Sequence, residues 1–208
     1  MNSRPILFTG PMVRAILDGR KSQTRRAVKY IPALGEPEDW CQQAHTASFT
    51  RVVGDYRNFC PHGTAGGKLW VRETFRIFGG DEYAYQHRIE DVRYRATAEL
   101  IDDVSSQWKP SIFMPRWASR ITLEITGVRV ERLNAISAED AIAEGVVGRT
   151  AFEDSGKHYS IPDMPSIAWE HDPVAVYAQL WERINGAGSW ALNPWVWVIS
   201  FKRVSPHH

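Results

Sequence analysis

Apolar positions along the chain change period several times, and those changes predict its elements. Ile6 to Thr9 reads as a short first strand. Gly10-Pro11 opens a helix, with Pro11 at a position where its missing N–H costs nothing. Met12, Val13, Ile16 and Leu17 then form a stripe at helical spacing, and Gly19 ends it. Leu69 to Arg76 alternates strictly, with Leu69, Val71, Glu73 and Phe75 on one face and Trp70, Arg72, Thr74 and Arg76 on the other. Val92 to Ala98 is a second strand candidate, and Pro110 to Ser119 reads as a loop. Between Ile121 and Leu133 the apolar parity flips near Gly127, which predicts a bulge or bend in one long strand.

Ser137 to Glu144 reads as a short helix with Ser137 as its cap, and Gly145 ends it. Asp172-Pro173 opens a longer helix with Val176, Tyr177, Leu180, Trp181 and Ile184 on one face. Trp195 to Lys202 is apolar enough to be a central strand. Residues 30–67 and 147–171 lack clear periodicity and read as irregular insertions in a single domain spanning 1–208. Helices are few and do not alternate regularly with strands. The expectation is therefore an α+β chain with a curled mixed sheet and peripheral helices.

Composition narrows the function classes. Nothing approaches a membrane span and no signal-peptide pattern opens the chain, so the expected location is cytoplasmic. A formal net charge of +1 excludes bulk polyanion binding, so any nucleic-acid contact must come from a local basic cluster. Nine Trp residues supply core and, in some positions, platforms for stacking on bases.

That local cluster exists. Arg20, Lys21, Arg25 and Arg26 fall within seven residues, together with Thr24. It reads either as a solvated loop favouring the preceding helix C-terminus, or as an anion site or catalytic Lys–Thr pair. On a regular strand Lys21 and Thr24 would face opposite ways, so they converge only across a turn or bulge. Glu144, at the end of its helix, sits against the negative pole of the dipole. Glu73 falls among apolar neighbours and needs a partner, or shifts its pKa. Trp70 and Arg72 suit a base or phosphate on the other face of their strand. Cys41, His45, Cys60 and His62 are zinc-type residues, but Cys-x-His is tight for one structural ion, so no metal is expected. No glycine-rich fingerprint for a dinucleotide or nucleoside triphosphate is present, and no cofactor is expected.

The run ILDGRKSQTRR resembles the signature of the ASCH family: a helix, then Gly-x-Lys, then Thr three residues later, then Arg. CPHGTAGGKLWVRETF, MPRWASRITLEITGVRVERL, ISAEDAIAEGV and GSWALNPWVWVISFKRV look like segments of ASCH proteins carried by phages and prophages. The resemblance implies a PUA-like β-barrel. It also implies similarity to small N4-acetylcytidine amidohydrolases, whose Lys, Thr and Glu match Lys21, Thr24 and Glu144. Arg20, Arg25, Arg26, Trp70, Arg72 and Glu73 are then candidate substrate contacts, with Glu73 an alternative acid to Glu144. Backbone amides of residues 20–24 are candidate oxyanion donors. Other family members are described as RNA binders or ribonucleases, so the implied partner is a modified nucleoside or RNA. A third reading is an accessory protein acting on a protein partner through its long loops. The chain departs from the small enzymes in being about twice as long, and in carrying Gly66-Gly67 where Gly-Asp is common.

Overall fold

The computed structural model describes residues 3–28, 56–77, 89–98, 107–150 and 156–204. Five strands pair in the order β1-β3-β6-β9-β2: β1 (Ser3–Leu7), β2 (Gln23–Ala27), β3 (Lys68–Arg72), β6 (Thr122–Arg132) and β9 (Trp195–Val204). The β1–β3 pair is parallel and the others are antiparallel, so the sheet is mixed. Two small two-stranded sheets flank it, β4 (Phe75–Ile77) with β5 (Val92–Tyr94), and β7 (Val147–Thr150) with β8 (Lys157–Ser160). Among the described residues three α-helices accompany them: α1 (Gly10–Leu17), α2 (Ala138–Ala143) and α3 (Pro173–Asn185).

The central strand is β9. Val196, Trp197, Val198 and Ile199 are all buried, so both of its faces are covered, as its continuous apolar run requires. Its neighbour β6 carries the expected bulge. Ile125 pairs with Phe201 and Gly127 with Ser200, which leaves Thr126 as the extra residue. Before it Leu123 and Ile125 point inward, and after it Val128 does. One inserted residue thus keeps a long strand apolar on its inner side while the sheet bends.

The helices close as their sequences dictate. Ser137 caps α2 by accepting from the Asp140 amide at 3.2 Å. Asp172 caps α3 through the Val174 amide at 2.9 Å, Pro173 enters its first turn, and Gly186 ends it at φ 99°. From α3, Val176, Tyr177, Leu180 and Trp181 pack into the main core, while Ile184 stays exposed.

Three expectations need correction. The basic run includes a strand: β2 pairs in register with β9 from Gln23–Ser200 to Ala27–Val196. The Leu69–Arg76 run is two strands, because β3 joins the main sheet and Phe75 starts β4 in another. Residues 147–171 contain the β7–β8 hairpin, whose polar sequence gives no alternation. There Gly148 lies close under its partner strand: a Cβ would meet the Lys157 side chain at 2.7 Å and the Tyr159 ring at 2.9 Å, so these side chains would have to shift. Of the expected 30–67 insertion, the described part 56–67 is pinned by Arg4, which donates to the Cys60 and Pro61 carbonyls. Among the described residues no helix is long and apolar enough to cross a membrane.

Leu123 is fully buried where β3, β6 and β9 meet. Leu123→Ala is expected to cost about 3 kcal/mol of unfolding free energy. Urea denaturation should show this as a lower midpoint with an unchanged slope.

Candidate functional site

Gly19, at φ 73°, turns the chain after α1, and the Arg20 and Lys21 amides both donate to the Ala15 carbonyl. The Ser22 amide then donates to Ala143 O, tying this turn to the end of α2. Lys21 therefore sits just before β2 and Thr24 within it. The turn at Asp18 and Gly19 precedes Lys21, and the side chains of Lys21 and Thr24 both line one cavity of about 100 Å³, together with Glu144. All three residues are buried, at 4%, 4% and 2% exposure. The same turn removes the expected oxyanion donors at 20–22, whose amides are already committed.

The Lys21 ammonium donates to Glu144 Oε2 at 2.6 Å and to the Glu144 carbonyl at 2.8 Å. That carbonyl belongs to the residue closing α2, so the ammonium meets both the side chain and the negative end of the helix. Gly145 follows at φ 107°, a backbone conformation that would strain any side chain, although the space beside Ala15 and the Lys21 stem would admit a Cβ. Arg25 reaches Glu144 Oε1 at 3.3 Å and donates to Gln23 Oε1 at 2.7 Å. Its other nitrogen bonds Glu131 at 2.6 Å and Asp140 at 2.7 Å. Gln23 and Arg129 also donate to Asp140. Three cations and three carboxylates thus interlock beneath the cavity.

Burial pushes the Lys21 pKa below its ordinary 10.5; Glu144 opposes this, and the Arg26 and Arg25 charges add to it. For Asp140, burial pulls upward, but hydrogen bonds from Gln23 and Arg25 and nearby guanidinium charge prevail and hold it low. Two residues on α3 complete the walls. Tyr177 is buried against Glu144, and burial raises its phenol well above 10.0. Trp181 lines the cavity with its indole Nε1 buried and, among the described residues, without a hydrogen-bond partner. An unmatched buried donor beside a cavity is a group for a ligand oxygen to satisfy. Both residues read from sequence as ordinary helix core. The signal available was that Tyr and Trp carry polar atoms into that stripe.

The other candidates disperse. Arg26 lines this cavity, donating through Nη2 to Leu7 O at 2.7 Å. Arg20 points outward and pairs with Asp18 at 2.7 Å. Glu73 is held by Arg120 through two bonds of 2.9 and 3.0 Å, and burial, opposed by Arg120, raises its pKa. It lines a separate, larger cavity, apart from Lys21, Thr24 and Glu144. Arg72 stacks on Trp70 at 5.4 Å and donates to the Ile112 carbonyl; neither residue lines either cavity. Of the zinc-type residues, Cys41 and His45 lie outside the described residues. Cys60 is a buried thiol and His62 is pushed down to about 4, first by burial and then by Arg26 and Arg4. Among the described residues no group of three or more His, Cys, Asp or Glu is placed to hold a metal ion.

No family model matches this sequence, and no curated protein matches it. One solved structure aligns, protein EF3133 from Enterococcus faecalis V583, of family DUF984. It is 11% identical with a TM-score of 0.42, covering 100% of this chain and 86% of that one.

Removing one member of the buried pair leaves a charge without its partner. Glu144→Ala is expected to cost about 3 kcal/mol or more. Lys21→Met combined with Glu144→Gln should recover much of that in chemical denaturation. A second expectation concerns acid. His62 is neutral in the fold and its folded pKa lies below 6.5, so its contribution is present above pH 6.5 and lost as pH falls toward about 4. His62→Gln should show a shallower fall in melting temperature across that window than the wild type.

Proposed function

We propose that the chain is an amidohydrolase acting on an acylated nucleoside such as N4-acetylcytidine, with Thr24 as nucleophile. The carrying observation is the buried Lys21–Glu144 contact of 2.6 Å in the cavity that Thr24 also lines. The substrate class comes from the resemblance of the Gly19–Arg26 run and the α2 segment to ASCH enzymes. The PUA-like barrel belongs to the same proposal. Its support is that Arg26 on β2 bonds Leu7 on β1, so the two ends of the sheet approach one another.

The chemistry follows from one shared proton. A hydroxyl attacks an amide only when a base takes its proton. Passing the Lys21 proton to Glu144 Oε2 leaves a neutral amine and a carboxylic acid side by side. Burial favours that uncharged arrangement. Thr24 Oγ1 then bonds the acyl carbon while its proton moves to Lys21. The C–N bond breaks as Glu144 supplies the proton the departing exocyclic nitrogen needs. Water hydrolyses the resulting Thr24 ester, releasing acetate and restoring the hydroxyl. Trp181 Nε1 is the available donor for the acyl oxygen as it gains charge.

Purified protein incubated with N4-acetylcytidine should release cytidine, followed by chromatography. Lys21→Ala and Thr24→Ala should each lower kcat/KM by about 1,000-fold or more with circular dichroism unchanged. Full activity in either variant would end the scheme. Because the pair works with one shared proton, kcat/KM should fall as pH rises through the Lys21 pKa, which lies below 10.5 and beyond which Glu144 has no proton to give. In Glu144→Gln no proton can be shared, so the residual activity should instead rise with pH as Lys21 loses its proton, along a limb lower in pH than the wild-type fall, since Glu144 is the group opposing the effect of burial.

A further inference from the structure

Beside the Lys21 cavity lies a second one of about 690 Å³. The two share Leu7, Phe8, Thr9, Arg26 and Ile184 as walls, so they are adjoining compartments. Their linings differ in chemistry. The small compartment has the buried Lys–Glu pair and the aromatic side chains of α3. The large one has Arg14, Arg26, Arg95, Glu73, Asp163 and the first residues of α1.

Its carboxylates are already neutralised. Asp163 accepts from Arg14 Nε at 2.8 Å, and Glu73 is clasped by Arg120. Arg26 and Arg95 are different: among the described residues neither has a carboxylate within ion-pair distance. Arg26 spends one nitrogen on Leu7 O and lies 5.3 Å from the Phe8 ring. Arg95 lies on the far wall, exposed, 6.0 Å from the Trp108 ring. Between them opens the N-terminus of α1. Thr9 does not cap it with its side chain, and the Gly10 and Met12 amides carry no hydrogen bond among the described residues. Two guanidiniums without a carboxylate partner at ion-pair distance among the described residues, and an uncapped helix start, around one cavity make a site for an anion with several acceptor oxygens.

We propose that this second cavity is a phosphate subsite, so that the substrate of the neighbouring site is a phosphorylated nucleoside rather than a neutral one. The inference rests on the acyl-nucleoside reading for what fills the small compartment, but the phosphate can be tested without turnover. The phosphate has two sources, the terminal phosphate of a mononucleotide or the backbone of a single strand. Arg26 stands at the junction, where base and phosphate of one nucleotide would diverge.

The test is calorimetric titration at low salt with cytidine, cytidine 5′-monophosphate, inorganic phosphate and a ten-residue oligocytidylate. The monophosphate should bind at least about tenfold more tightly than cytidine. That preference should fall toward unity in Arg95→Gln, which is exposed and leaves the core alone, and in Arg26→Gln. Added salt should erode it. An oligonucleotide that binds more tightly than the monophosphate supports the subsite and assigns it to a strand; equal affinities support it and assign it to a mononucleotide. Equal binding of cytidine and its monophosphate would overturn the subsite even if N4-acetylcytidine is hydrolysed. If cytidine fails to bind while inorganic phosphate binds wild type and not Arg95→Gln, the subsite stands and the acyl-nucleoside reading falls. Binding of no phosphate-bearing probe would overturn the subsite outright.

Discussion

The Glu144 carboxylate is the constraint around which the described structure is arranged. It is buried at the end of a helix, where the dipole already disfavours negative charge. It is tolerable there only because Lys21 and Arg25 meet its two oxygens. Those cations must themselves be satisfied, which recruits Gln23, Glu131, Asp140 and Arg129 from three different elements. The turn at Gly19, the start of β2, the bulged strand β6 and the short helix α2 are thus fixed relative to one another by polar geometry. The apolar core supplies the cohesion but not this register. A half-satisfied version of the same cluster would be worse than none.

This arrangement explains how one fold holds reactive groups beside a small cavity. The network faces the protein on one side and the cavity on the other. Lys21 uses two of its donors on Glu144 and lines the same space as Thr24. Tyr177 and Trp181 come from a helix that packs for ordinary apolar reasons, yet each delivers a polar atom to the same place. Rigid positioning by secondary structure is what the proposed proton transfer would need, since small displacements are costly to such chemistry.

Much of the fold was legible in the sequence because it follows from local rules. The helix starts at Pro11, Ser137 and Asp172, the parity flip near Gly127 and the centrality of the last strand are written in period, caps and apolar runs. What was not legible depends on contacts distant in sequence. β2 is a strand made of Gln, Thr, two Arg and a final Ala, and its pairing with β9 and its buried ion pairs cannot be seen in its own pattern. The β7–β8 hairpin is equally silent, because its strands are polar and its key position is a glycine beneath Tyr159. For the site, it was the resemblance to ASCH enzymes that suggested Lys21, Thr24 and Glu144 as a set, and all three line one cavity. Glu73 looked equivalent by alternation alone, but only the fold reveals that Arg120 claims it.

The bond from Arg26 to Leu7 has a meaning for how copies of this chain meet one another. Strands at the ends of a sheet present unpaired amides and carbonyls, which invite pairing with a second molecule. Here β1 carries Pro5, which has no amide to offer, and its last carbonyl is taken by Arg26 from the opposite end of the same sheet. The two exposed rims therefore blunt each other. A change that neutralised Arg26 would do more than alter two cavities: it would uncover a strand margin and make self-association a property of the protein.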